Sequence, residues 1–151
     1  MGYTTEEGRT QILDDAAAAV ESLSVAMAAL GEAYEHLDEQ AGDRMEAQLF
    51  RPLQSAYGQL KRTHSEFAQR AGLPGREFPV APPPAPEDPR ASLEHAADAI
   101  QAADDQLSEL QDSLLPVEVG DQALRGGLSG TRSLIASLPE ACDEFIRTLG
   151  R

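Results

Sequence analysis

Three histidines, His36, His64 and His95, and one cysteine, Cys142, carry the widest chemical repertoire in this chain. Imidazole ligates metals, moves protons or accepts a phosphoryl group, and a thiolate attacks carbon. Three histidines on a helical frame would make a zinc-type donor set. Their spacing opposes it. His36 falls about five residues before the expected turn between the first two helices and His64 about twenty after it, a height difference of roughly 20 Å at 1.5 Å per residue. His36 and His95 also stand two positions beyond an apolar seam residue, on the outward face. A carboxylate-bridged dimetal centre needs Glu-x-x-His on facing helices, and no such motif is present. Neither a metal nor a cofactor is expected.

His64 falls inside an apolar seam, whereas a phosphoryl-carrying histidine has to face outward. Cys142 occupies the corresponding place later in the chain, where a buried cysteine behaves as a small hydrophobe. No base stands beside it, so no catalytic residue is expected, and His64 and Cys142 remain only a possible polar seam site. Gly126, Gly127 and Gly130 crowd the start of the last expected helix, each costing up to about 1 kcal/mol against alanine. They admit close approach of a bulky neighbour such as Phe50 or Tyr57, or all five line a cleft for a small ligand.

The elements that position these residues are read from apolar periodicity. A first helix is expected from Thr5 to about Glu39, opened by a Thr4–Glu7 capping box, with a heptad seam of Leu13, Ala16, Val20, Leu23, Met27, Leu30, Tyr34 and Leu37. Gly42 and Asp43 read as a turn. A second helix then runs to Ala71 with seam Phe50, Leu53, Tyr57, Leu60, His64, Phe67 and Ala71, and Gly72 and Pro74 stop it. Pro52 either kinks this helix or sits in its first turn. Asp88 and Pro89 start a third helix ending at Leu115, with seam Leu93, Ala96, Ile100, Ala103, Leu107, Leu110 and Leu114. Asp121 caps a fourth, whose seam is Leu124, Leu128, Thr131, Ile135, Leu138, Cys142, Phe145 and Leu149.

The third seam repeats the first at an offset of 80 residues, and the fourth repeats the second, from Phe50 onward, at an offset of 78. Gly42-Asp43 answers Gly120-Asp121, and Gly72 answers Gly150. The economical reading is an all-α four-helix bundle of two duplicated antiparallel helical hairpins in a single domain over 1–151, with repeats at 4–72 and 89–150. Between them lies a linker, 73–88. Seven of the chain's ten prolines fall between Leu73 and Arg90, so this stretch is extended and lies on the surface, with Phe78 and Val80 as expected anchors. Its length leaves the direction of the third helix open. Two PxxP matches in it are of a kind that any proline-rich spacer produces.

A formal charge of −14 opposes binding to nucleic acid or anionic lipid. One cysteine forms no intrachain disulfide, and neither a secretory signal nor an apolar run of about 20 residues is read from the sequence, so a soluble cytoplasmic protein without membrane partner is expected. Residues 5–41 hold nine acids and one base, and 89–115 hold six and one. The second and fourth helices are near-neutral to basic, which is expected to set the two acidic helices apart, each beside a more basic neighbour. The expected function is non-enzymatic contact with a protein partner through the acidic surface of the first and third helices. The alternative is an enzyme or small-ligand binder using the glycine-rich cleft.

Overall fold

In the computed structural model, which describes residues 4–149, the chain is all-helical, with no strand among the described residues. Helix α1 spans Thr5–Glu35. The Thr4 hydroxyl accepts from the Glu7 amide at 3.1 Å and the Thr4 amide donates to the Glu7 carboxylate at 3.4 Å, so the local signal sets this start. Its end comes four residues before Glu39. The His36 and Leu37 amides close it on the Ala33 and Tyr34 carbonyls, and Asp38, extended at φ −68°, ψ 169°, caps the Ala41 amide to open α2, Glu39–Met45. Gly42 and Asp43 therefore lie inside a helix, not at a turn: the Asp38 carboxylate satisfies orphan amides that Gly42 cannot.

The chain leaves α2 through a π-helical turn, Glu46–Phe50, and enters α3, Arg51–Ala71. The Arg51 amide reaches the Glu46 carbonyl, five residues back. This wide turn places Pro52, which lacks an amide, in the first turn of α3. Gly72, at φ 69°, then closes α3, with the Leu73 amide on the Ala68 carbonyl and the Gly72 amide on that of Gln69. The proposed counterpart Gly150 lies outside the described residues.

Asp88 caps α4, Pro89–Asp112, through the Ala91 amide. This helix stops three residues before Leu115. Leu114 turns the chain at φ 67° so that Leu115 and Pro116 bury in a short helical turn, α5, Leu115–Glu118. Asp121 caps α6, Gln122–Ile135, and α7 follows at Leu138–Leu149. The single fourth helix is thus two. Pro139 has no amide to give and its ring opposes the preceding turn, so the helix breaks at Ala136 and Ser137 and restarts with the Ala141 amide on the Ser137 carbonyl.

One hydrophobic cluster joins residues from both halves of the chain. Helix α1 packs on α4 and α3, α3 on α6, and α4 on α7. The Ser22 hydroxyl donates to Gln106 and the Arg9 guanidinium to the Val119 carbonyl, so α4 runs antiparallel to α1. Phe50 lies beside Gly31 and Tyr57 beside Met27, while His64 lies near the Leu13 carbonyl; α3 is antiparallel to α1 as well. Helices α3 and α4 are therefore parallel, and residues 73–88 carry the chain back along α1. In this return the Arg76 guanidinium pairs with Asp14, the Ala81 amide donates to the Ser24 hydroxyl at 3.0 Å, and Phe78 meets the His64 ring edge-on at 5.0 Å between centroids. Phe78 anchors the segment, but Val80 is 86% exposed and does not. The interval between the Phe78 ring and the Ala81 amide, the two points at which the segment is held, leaves its side chain outside.

The two acidic helices, α1 and α4, are packed side by side rather than set apart. Alanines buried on both, including Ala16, Ala19, Ala26 and Ala33 on α1 and Ala96 and Ala103 on α4, let the backbones approach. Repulsion between exposed carboxylates, at a few tenths of a kcal/mol per pair, does not outweigh that burial. Because α1 touches both α3 and α4, it buries Ile12 and the alanine row beside the expected seam, while Tyr34 at the seam's end is 47% exposed. The same alanine-rich stretch bears on the expectation that no apolar run approaches the length of a membrane span. Helix α1 meets that test by length and composition, with an 18-residue window of mean hydropathy 1.3, and 56% of that window is buried inside the protein.

Candidate functional site

The histidines are dispersed. The His36 ring lies 2.9 Å from the Glu32 carboxylate and the His95 ring 2.7 Å from Glu87, both on the surface, while His64 is buried on α3. Among the described residues no three His, Cys, Asp or Glu side chains gather as a metal site. Cys142 is fully buried on α7, and burial, with Asp143 adding, pushes its thiol up to about 12. It stays protonated at neutral pH and is a poor nucleophile. Helices α3 and α7 share no substantial contact, so His64 and Cys142 sit in separate parts of the core.

The glycines of α6 face α3. A Cβ on Gly127 would stand 2.2 Å from the Thr63 hydroxyl, and one on Gly130 would stand 2.4 Å from the Gln59 amide nitrogen. The absent side chains are what let α3 and α6 close, and Gln59 and Thr63 take up the space. Gly126 points into the open. Phe50 at the end of the π turn and Tyr57 of α3 instead line a hollow with Met27, Ala28 and Gly31 of α1, so the structure does not bring the five residues of the expected cleft together.

What Phe50 and Tyr57 do line is a groove. Its floor is Met27, Ala28 and Gly31 of α1 with Phe50 and Tyr57, and Val80, Ala81 and Pro83 of the linker form its far wall. The cavity measures about 430 Å³. A second hollow of about 280 Å³ continues it past Gly31 to Tyr34, Met45 and Phe50. Each part has a sequence-level cause. Pro52 forces the wide turn that presents Phe50, Gly31 leaves the floor without a side chain, and the Ala81–Ser24 hydrogen bond holds the linker alongside. The rim is acidic: Glu32, Glu35 and Glu46 are the charged lining residues. Lined mostly by apolar side chains with carboxylates at its edge, the groove is suited to receive apolar side chains beneath a negative edge. Sequence reasoning placed Met27 and Tyr34 in the seam and missed the groove. The one available signal was Pro52, standing between the aromatics Phe50 and Tyr57.

Compared with protein-family models, curated proteins and solved structures, the chain matches none of them.

His64 presents a different environment. Neither ring nitrogen has a hydrogen-bond partner. Burial lowers its pKa below the ordinary value and the nearby Arg76 guanidinium lowers it further, opposed by the Leu13 carbonyl and Asp14. The imidazole is a neutral core ring at physiological pH, sealed by Phe78, and is placed neither to bind phosphate nor to exchange protons with solvent.

Proposed function

We propose that this chain is a non-enzymatic cytoplasmic protein that works by contacting another protein through the joint acidic surface of α1 and α4. The architecture proposed for it is a four-helix bundle of two duplicated hairpins. The observation that carries the functional reading is the adjacency of α1 and α4, which merges two acidic faces into one. Asp15 and Glu109 flank the same shallow depression with Ala18 and Gln106, and Asp98 and Asp105 are exposed on the same helix as Glu109. Close packing at Gly127 and Gly130 favours this reading over a small-ligand cleft at the start of α6. In support of duplication, α1 pairs with α4 and α3 with α6, each antiparallel, as a two-fold axis perpendicular to the helices would give. Counterparts Leu13 and Leu93, and Phe67 and Phe145, are buried alike.

Charge reversal tests the contact. The triple variant Asp15→Lys, Asp105→Lys, Glu109→Lys is expected to keep the wild-type melting temperature within a few degrees and to lose proteins captured by the wild-type chain from its host. Undiminished capture would refute the acidic-face reading. A crystal structure in which Leu13 failed to superpose on Leu93 would remove the duplication.

A further inference from the structure

The groove between α1, the π turn and the linker is an apolar surface beside the acidic face, and its chemistry specifies an occupant. We infer that it docks a short amphipathic helical segment of a partner protein that carries lysine or arginine along its edges; this rests on the protein-binding reading above and names the partner's chemistry.

Three features argue for that occupant. The groove follows α1 from Ser24 to Glu35, about 16 Å at helical rise, which matches about three turns of a bound helix. Its two hollows meet at Gly31 and Phe50, so they receive successive anchors on one helical face, spaced i and i+4 or i+7. The thioethers of Met27 and Met45 and the ring of Phe50 form a deformable apolar floor suited to leucine, methionine or phenylalanine anchors.

Charge decides the rest. Every charged lining residue is a carboxylate: Glu32, Glu35 and Glu46. Two cations stand nearby without lining the hollows: Lys61 lies 4.6 Å over the Tyr57 ring, and Arg51 reaches Glu46 only at 3.9 Å with both groups exposed. His36 engages Glu32, and Glu35 has no ion pair among the described residues. A partner with acidic edges would meet this rim and the protein's overall charge of −14, whereas a basic one gains from both.

The chain contains no tryptophan, so Phe50→Trp supplies a single fluorescent reporter in the groove. The probe is a capped 14-residue peptide of leucine and lysine in helical amphipathic order, with a leucine–glutamate peptide of the same order as control, and peptide anisotropy on the wild-type chain as a second readout. The lysine peptide is expected to shift the emission saturably and the glutamate peptide not to. Gly31→Gln fills the floor without a clash, since nothing lies within 4 Å of a Cβ there, and is expected to weaken binding tenfold or more. Glu35→Lys is expected to weaken it several-fold, with a smaller effect at high salt. Equal binding of both peptides, no binding by either readout, or indifference to Gly31→Gln would overturn the inference. Asp105→Lys with Glu109→Lys separates the two claims. If this pair abolishes partner capture while Gly31→Gln leaves capture intact, the acidic-face reading survives and the groove proposal fails. If Gly31→Gln abolishes capture and the pair does not, the groove proposal survives and the acidic-face reading fails.

Discussion

His64 is the residue at which burial and polarity conflict most directly. An imidazole whose two nitrogens lack a well-formed hydrogen bond, with only the Leu13 carbonyl close by, gives up most of its hydrogen bonding to water, a cost of about 1–3 kcal/mol. Its pKa is lowered in the folded chain, by burial first and by Arg76 second. The unfolded chain therefore binds the proton more readily. The contribution is constant above the unfolded value of about 6.5 and stability falls as pH drops below it. Urea unfolding from pH 8 to pH 5 is expected to show a steeper loss for wild type than for His64→Leu, and the variant is expected to match or exceed wild type at pH 5. Equal slopes would mean that the imidazole is solvated. The glycines of α6 give a contrasting pair. Gly126→Ala adds helix propensity in open space and is expected to stabilise by up to about 1 kcal/mol. Gly127→Ala drives a methyl into Thr63 and is expected to destabilise by about 1–3 kcal/mol. Calorimetry on both distinguishes close packing from a tolerant cleft. These three positions drew notice in the sequence for their type, but their neighbours were not readable there, because side-chain spacing along one helix is silent about what faces it.

At the level of elements, the signals that held were those complete within a few residues: the Thr4–Glu7 box, the aspartate caps at Asp88 and Asp121, and the Gly72 terminus. Those that failed involved competition between adjacent signals. Gly42-Asp43 has turn chemistry, yet Asp38 captures the cap first. Pro139 breaks a periodic apolar pattern whose seam continues unbroken across it, which is why periodicity alone read a single helix. The linker divides likewise into a packed part and a free part. Phe78→Ala removes the ring that seals His64 and is expected to cost about 2 kcal/mol, or about 4–8 °C in melting temperature for a chain of this size. Replacing Pro82, Pro83 and Pro84 with Gly-Ser-Gly is expected to cost less than Phe78→Ala. Thermal unfolding that reversed this order would show that the proline run clads the core.

Across the whole molecule, helix content and the identity of most core residues were legible, since burial follows apolar spacing. The partners of each helix were not. Charge was expected to separate α1 and α4, and it does not, because solvent-exposed like charges are screened while buried alanine faces are not. The direction of α4 was likewise open until the linker's path along α1 was known. That path leaves one peptide segment unusual in its surroundings: Val80, beyond the Phe78 anchorage and 86% exposed. Exposed positions on irregular surface segments are where proteases cut. A single nick there would convert the protein into two chains held without a covalent link, chiefly by the α1–α4 and α3–α6 contacts. The linker's covalent service would then be visible as what it supplies in the intact chain, a local concentration of one half for the other on the order of millimolar. The nicked protein is expected to elute as one species at high concentration, to come apart on dilution, and to melt at a temperature that depends on how much of it is present.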